Sequence, residues 1–368
     1  MLQGRDYGVP IFRQTLSPHR GGNFSRDMFS LLNNCDLFVR FSVRSVQSKV
    51  FDRKTKLLQQ ERAAARSDVE RFDFLKEEVG YRVADRVLDV SKKMEVGVDI
   101  GSGRGWVLRH LTDHSVGRVT GIELSPSLME QAECADEVAV EKLVMDVDGA
   151  DLPFTDNSVD VVTSCLAMHW INDLPKLFSE VNRILKHDGV FIGAMFGGQT
   201  LMELRSSLQL AELERIGGFS PHISPFVEVR DLGGLLNSNN FTLLTIDTDE
   251  LRVSYPNIFP LFRDLKGMAE NNAAVNRATH LSRETMFAAN AVYKDLYGEP
   301  RVNEKGDTET VLPATFQVFY WIGWKPDQSQ PKPLKPQKSD VSLKDLYKLD
   351  EIFEKKGLAD VTDDEKSK

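Results

Sequence analysis

Apolar residues along this chain fall into two rhythms. Between Val96 and Phe196, short apolar runs at 96–100, 119–124, 143–145, 159–165 and 190–196 are separated by stretches of helical spacing. Runs of that length, apolar at nearly every position, fit strands buried on both faces. Their alternation with helices predicts an α/β fold with a parallel, doubly wound, Rossmann-like sheet. The clearest helix starts at Leu174, where Leu174, Leu177, Phe178, Val181, Ile184 and Leu185 form one stripe. Asp173 can cap its start, and Lys186 and then Gly189 suit its end. Ser125 followed by Pro126 opens another helix, a capping residue before a proline in the first turn.

Upstream, 50–95 is expected to form an N-terminal helical cap, because Phe72, Leu75, Val79 and Val83 recur at helical spacing. The region 219–260 shows no steady period and reads as irregular. The run 315–324 is aromatic and strand-like. From Lys325 the chain is rich in Pro, Lys and Asp, so 326–368 reads as a disordered tail with at most a short helix at 342–354.

Composition narrows the classes. The longest apolar runs are far too short to cross a bilayer as a helix. With 46 Lys+Arg against 55 Asp+Glu and a net charge of -9, nonspecific nucleic-acid binding is disfavoured. The three cysteines, Cys35, Cys134 and Cys165, form no C-x-x-C, which argues against a disulfide framework or a thiolate metal site. The segment 1–49 differs from the rest. It holds seven basic residues against three acidic ones, no Glu and many Ser, the composition of a mitochondrial presequence.

The chemistry starts at Asp99-Ile100-Gly101-Ser102-Gly103-Arg104-Gly105, which follows the first strand and is expected to open a helix through Trp106, Val107, Leu108 and Leu111. Glycines here allow a tight turn and let a ligand lie against bare backbone. Trp106 occupies the position of the third glycine of a dinucleotide fingerprint, and no Gly-Lys-Ser/Thr follows, so neither a pyrophosphate nor a triphosphate loop is present. Glu123, at the end of the second strand, can accept both ribose hydroxyls of a nucleoside. Asp146, placed at the end of the third, can accept from an adenine amino group, with Val147 covering the ring. Asp99 can hold a cationic amino group. An acid-lined crevice of this kind suits a cationic nucleoside such as S-adenosyl-L-methionine. After the fourth strand, His169 could be a base, a substrate-positioning group or a structural histidine, and Trp170 and Asp173 lie in the same loop.

The run 98–196 resembles a class I S-adenosylmethionine-dependent methyltransferase domain. Wider segments resemble one group, the family of the fifth-numbered assembly factor of mitochondrial respiratory complex I. They are Val50-Phe51-Asp52-Arg53, the stretch 146–154, Met168-His169-Trp170-Ile171-Asn172-Asp173-Leu174-Pro175, Gly198-Gln199-Thr200-Leu201-Met202-Glu203-Leu204-Arg205, Pro225-Phe226 with Asp231-Leu232-Gly233, and Leu312-Pro313-Ala314-Thr315-Phe316. A bacterial methyltransferase of biotin synthesis, which esterifies a malonyl thioester, is a more distant relative. The resemblance implies a ligand-binding domain over 96–325 with an inserted substrate-side segment around 199–310. It also implies import into mitochondria and a place on the matrix side of the inner membrane, peripheral to it. It further implies hydroxylation of an arginine on a matrix-arm subunit of complex I. No histidine begins the H-x-D or H-x-E of a non-haem iron site, so no metal is expected.

Three functions compete: arginine hydroxylation, methyl transfer to a protein or an acyl-thioester carboxylate, and a non-catalytic assembly chaperone. An arginine substrate calls for carboxylates such as Asp173 or Glu203. A malonyl thioester calls for a cation such as Arg205 or Arg230.

Overall fold

The computed structural model describes residues 49–278, 280–302 and 306–331. The expected presequence up to residue 48, Cys35, and the tail beyond 331, with the short helix expected in it, lie outside the described residues. Through Asp327 the described residues belong to one contact unit, and the four beyond it that are described carry no helix or strand.

Two helices precede the sheet. Helix α1, Arg53–Ala64, starts where Asp52 accepts from the Thr55 amide at 3.1 Å. Helix α2, Phe74–Leu88, buries Leu75, Val79, Val83 and Val87 along one stripe. The parallel strands follow: β1 Met94–Ile100, β2 Val116–Glu123, β3 Ala139–Val144, β4 Val159–Cys165 and β5 Leu185–Phe196. Between them lie α3, Pro126–Glu130, capped by Ser125, and α4, Leu174–Ile184, capped by Asp173. After β5 come α5 Met202–Ile216, α6 Val229–Ser238, β6 Thr242–Tyr255, α7 Ile258–Gly267, α8 Arg283–Tyr297, β7 Glu299–Val302 and β8 Thr308–Trp324.

The strands order as β3-β2-β1-β4-β5-β8-β6, with β7 paired to β8. The first five are parallel, while β8 joins β5 and β6 joins β8 antiparallel. Helices cover both faces, as doubly wound sheets require. Helices α2, α5 and α8 pack on one core with Val161, Ile192 and Phe316. Helices α4 and α6 pack on the other with Phe191, Phe319 and Trp321. Among the described residues no helix is long and apolar enough to cross a membrane.

Three expectations need correction. The region 219–260 is not irregular: it holds α6 and the 14-residue β6. Consequently the segment 199–310 is not wholly an insertion, because β6 belongs to the main sheet. Strand β6 hides its period because its buried side changes midway. Leu244 and Ile246 pack on the α6 side, whereas Leu251, Val253 and Tyr255 pack on the other. Asp247 and Asp249, between them, pair with Arg86 and Arg82 of α2. The glycine loop also does not open an α-helix. It runs through turns into a short 3-10 turn, Leu108–His110, and ends as Leu111 becomes extended. Trp106, Val107, Leu108 and Leu111 are buried all the same.

Candidate functional site

The carboxyl ends of β1, β2, β3 and β4 surround a cavity that opens to solvent. Ile100, Gly101 and Gly103 form one wall, Glu123 and Val147 another, and Trp170 a third. Gly101 and Gly103 both adopt left-handed backbone conformations, with φ of 75° and 55°. These bend the chain away from β1 while the amides of Gly101 and Ser102 donate to Ile122 O at 2.8 and 3.0 Å. The loop is thereby bolted to β2, beside Glu123.

Glu123 is 3% exposed and anchors the site. Its Oε2 accepts from the Gly103 amide at 2.8 Å, and its Oε1 accepts from the Leu124 amide at 2.8 Å and the Gln60 side chain at 3.1 Å. Only Gln60, on α1, contributes a side chain; the other donors to Glu123 are backbone amides. Asp99 lies beneath the loop, behind the residues that line the cavity, accepting from Thr163 Oγ1 at 2.7 Å, and its Oδ2 finds no hydrogen-bond partner. Burial pushes its carboxyl up to about 6, although the Thr163 and Ser102 hydroxyls pull the other way. A buried carboxylate with an oxygen to spare is a site prepared for a donor or a cation.

The other nominated residues divide. Gly105, with φ 83°, faces away from the cavity: a Cβ there would meet the Glu133 carbonyl at 2.0 Å. It serves the packing of the loop on the segment after α3. Asp146 lies two residues past the end of β3 rather than at it, off the cavity wall, and Arg53 Nη2 donates to it at 2.8 Å. Asp173 caps α4, accepting from the Lys176 amide at 3.1 Å. Glu203 is buried away from the cavity, accepting from Thr315. Arg205 and Arg230 do not line the cavity either.

His169 is 4% exposed and stands behind the cavity wall, its ring packed on Trp170, Phe196 and Phe226. Burial lowers its pKa, so the imidazole is neutral. The neutral ring donates from Nε2 to Glu270 Oε2 at 3.2 Å and leaves Nδ1 without a hydrogen bond. Trp170 Nε1 donates to the same oxygen at 2.9 Å. Both residues therefore position Glu270, and Trp170 and Glu270 line the cavity.

Among the polar lining residues, Lys56, Gln60, Lys76 and Glu270 escaped sequence reasoning. Glu270 lies a hundred residues from Trp170, in the segment after α7, and no local pattern marks it. For α1 a signal existed, since Arg53, Lys56 and Gln60 recur on one helix face. That face closes the cavity: Arg53 also donates to Trp170 O at 3.2 Å. The start of α1 is latched by Asn172, whose Oδ1 accepts from the Phe51 amide at 2.8 Å and whose Nδ2 donates to Phe51 O at 3.1 Å. Thus Val50-Phe51-Asp52-Arg53 and the loop after β4 meet across the site. Among the described residues no group of three or more His, Cys, Asp or Glu is placed to hold a metal ion.

Residues 98–193 match the family model of a methyltransferase domain. The chain is 48% identical over 303 residues to "Arginine-hydroxylase NDUFAF5, mitochondrial" of Danio rerio, covering 82% of this chain and 91% of that one. To the protein of the same name in Homo sapiens it is 45% identical over 304 residues, 83% of this chain and 85% of that one. It is also 28% identical over 259 residues to the malonyl-[acyl-carrier protein] O-methyltransferase of Gallionella capsiferriformans, 68% of this chain and 84% of that one.

Proposed function

Because the chain belongs to the mitochondrial arginine-hydroxylase family named NDUFAF5, we propose that it hydroxylates an arginine of a complex I matrix-arm subunit and binds S-adenosyl-L-methionine in the cavity. The observation that carries the activity is the identity of 48%, spread over 82% of the chain rather than confined to the methyltransferase segment. Work on the matrix side of the inner membrane, in peripheral contact with it, belongs to the same proposal.

The residues present suit the ligand. Asp99 would accept from its amino group, which gives the unpartnered Oδ2 a donor. Glu123 would accept the ribose hydroxyls in place of Gln60, and Gly101 and Gly103 would offer bare backbone. Val147, with Met145 and Leu128, would flank the base. Asp146 would reach the adenine amino group only by sharing its carboxylate with Arg53. Bound there, the ligand supplies a sulfonium cation to a crevice lined by Glu123 and Glu270 together with Arg53, Lys56 and Lys76.

This reading has a pH signature. A cation beside Asp99 favours its ionised form, whereas burial raises the free carboxyl to about 6. Affinity for S-adenosylmethionine should therefore fall toward tenfold per pH unit below about 6. Asp99→Asn should flatten the profile and weaken binding at neutral pH. Calorimetric titration across pH 5–8 checks both, and an unchanged profile in the variant would remove Asp99 from the site.

The activity is tested by peptide mass spectrometry of complex I matrix-arm subunits from mitochondria with and without this protein. The expected result is an arginine that loses a one-oxygen shift when the protein is absent. Loss of a one-methylene shift instead would make the protein a methyltransferase. Loss of no modification, with assembly still failing, would make it a chaperone.

A further inference from the structure

Helix α1 lies across the cavity and is fastened at both ends. At its start, Asn172 receives the Phe51 amide at 2.8 Å and donates back to Phe51 O at 3.1 Å. Toward its end, Glu61 accepts from Ser125 Oγ at 2.5 Å and from the Ser127 amide at 3.3 Å. Gln131 Nε2 donates to Ala64 O at 3.0 Å, and Gln59 Nε2 donates to Asn272 O at 3.1 Å.

Between these clasps, two side chains of α1 sit on the groups that the nucleoside reading needs as acceptors. Gln60 Nε2 donates to Glu123 Oε1 at 3.1 Å. Arg53 donates to Asp146 Oδ1 from Nη2 at 2.8 Å and from Nε at 3.2 Å. Neither carboxylate depends on α1. Glu123 also receives the amides of Gly103, Leu124 and Ser125. Asp146 also receives the Asp148 amide at 3.1 Å, and its side chain is 38% exposed, so water can solvate it. The helix, by contrast, gives something up. Gln60 Oε1 is buried without a hydrogen bond, a cost that ends when the side chain turns out to water.

We propose that α1 is an autoinhibitory strap, with Gln60 and Arg53 holding Glu123 and Asp146 against the nucleoside. The inference rests on the reading of the cavity as a nucleoside site and adds how that site is regulated. Ribose hydroxyls and an exocyclic amino group are donors, as are the Gln60 amide and the Arg53 guanidinium. Ligand and strap therefore compete donor for donor, and binding is weakened by the contacts that have to give way. A ligand displaces both side chains only if it brings donors to both carboxylates. The clasps keep α1 in place, so the strap returns when the ligand leaves.

Isothermal titration of adenosine into the full chain tests this, in wild type, Gln60→Met and Arg53→Met. Adenosine carries both sets of donors and no charge, so loss of a cation from the protein does not by itself favour it. Methionine keeps an unbranched stem and removes the donors. Each variant should bind adenosine about twofold to tenfold tighter, the range for a partly exposed hydrogen bond or ion pair. The gain in Gln60→Met should vanish with 2′,3′-dideoxyadenosine, which lacks the hydroxyls. The gain in Arg53→Met should vanish with purine riboside, which lacks the amino group. Equal or weaker adenosine binding in either folded variant overturns the strap and leaves the nucleoside reading standing. A gain that survives loss of the matching donor overturns it too. Thermal melts identify a variant that fails to fold, and the other then decides alone, since the two carboxylates are separate. Should none of the three proteins bind adenosine, the nucleoside reading falls and the strap with it.

Discussion

Glu270→Ala is expected to lower the folding free energy by about 3–5 kcal/mol, the cost of leaving buried charge without its partner. The carboxylate, its side chain 4% exposed, serves Lys76, Lys56, Trp170 Nε1 and His169 Nε2 together. Its removal strands one ammonium at 2.9 Å and two neutral donors. For a domain of this size the loss should read as a fall in Tm of about 6–10 °C in a thermal melt. A shift under about 2 °C would mean that water enters and solvates the lysines. Glu270→Gln should cost less, since its carbonyl still accepts from Trp170. The triple change Lys56→Met, Lys76→Met, Glu270→Leu should recover most of the stability, because an apolar cluster has no charge to leave unpaired.

The same residue makes stability depend on acid. Burial would raise the Glu270 pKa, but Lys56 and Lys76 outweigh it and hold the carboxyl well below its ordinary value. A carboxyl lowered on folding adds stability above its unfolded pKa of about 4.3 and loses it as pH falls below that value. Denaturant midpoints from pH 6 to pH 3 should therefore drop less in the triple variant than in wild type.

Gly103→Val should abolish nucleoside binding, by about a hundredfold or more, and also cost stability. The backbone at Gly103 has φ 55°, a region in which a β-branched side chain is strained by about 1–3 kcal/mol. A Cβ there would meet Trp106 Nε1 at 2.1 Å. The first collision is thus with the indole that packs against the loop. Moving the loop carries the Gly103 amide off Glu123, where it donates at 2.8 Å. The valine variant therefore disturbs two ligand-facing groups at once. Gly103→Ala should show a smaller loss of the same kind. Equilibrium binding of S-adenosylmethionine, with a melt of each variant, tests this. Unchanged affinity in the valine variant would place the nucleoside elsewhere.

Much of the fold was legible because it obeys local rules. Strand β4 and the run 190–196 of β5 are buried at every position and read as apolar runs, whereas β3, at the sheet edge, is largely exposed and showed only its end. Helix α4 shows its stripe and its Asp173 cap within a dozen residues. The glycine loop announced a tight turn, since only glycine takes left-handed φ without cost. Glu123 followed from its distance along the chain to the end of the next strand. The segment 219–260 was not legible, because β6 changes its buried face midway and no single alternation survives. The helix expected after the glycine loop was absent because the backbone becomes extended at Leu111 after one 3-10 turn.

Local order determined the sheet, the loop and the acid that closes it, since each depends on neighbours within a strand or a turn. Tertiary structure alone decided the far wall of the cavity. Lys56, Lys76 and Glu270 come from three separate elements, and their meaning lies in their mutual distances. It is burial together that turns ordinary surface residue types into a charged, donor-rich site. The same holds for His169, which the chain presents as a possible base and the fold sets behind Glu270 as its support.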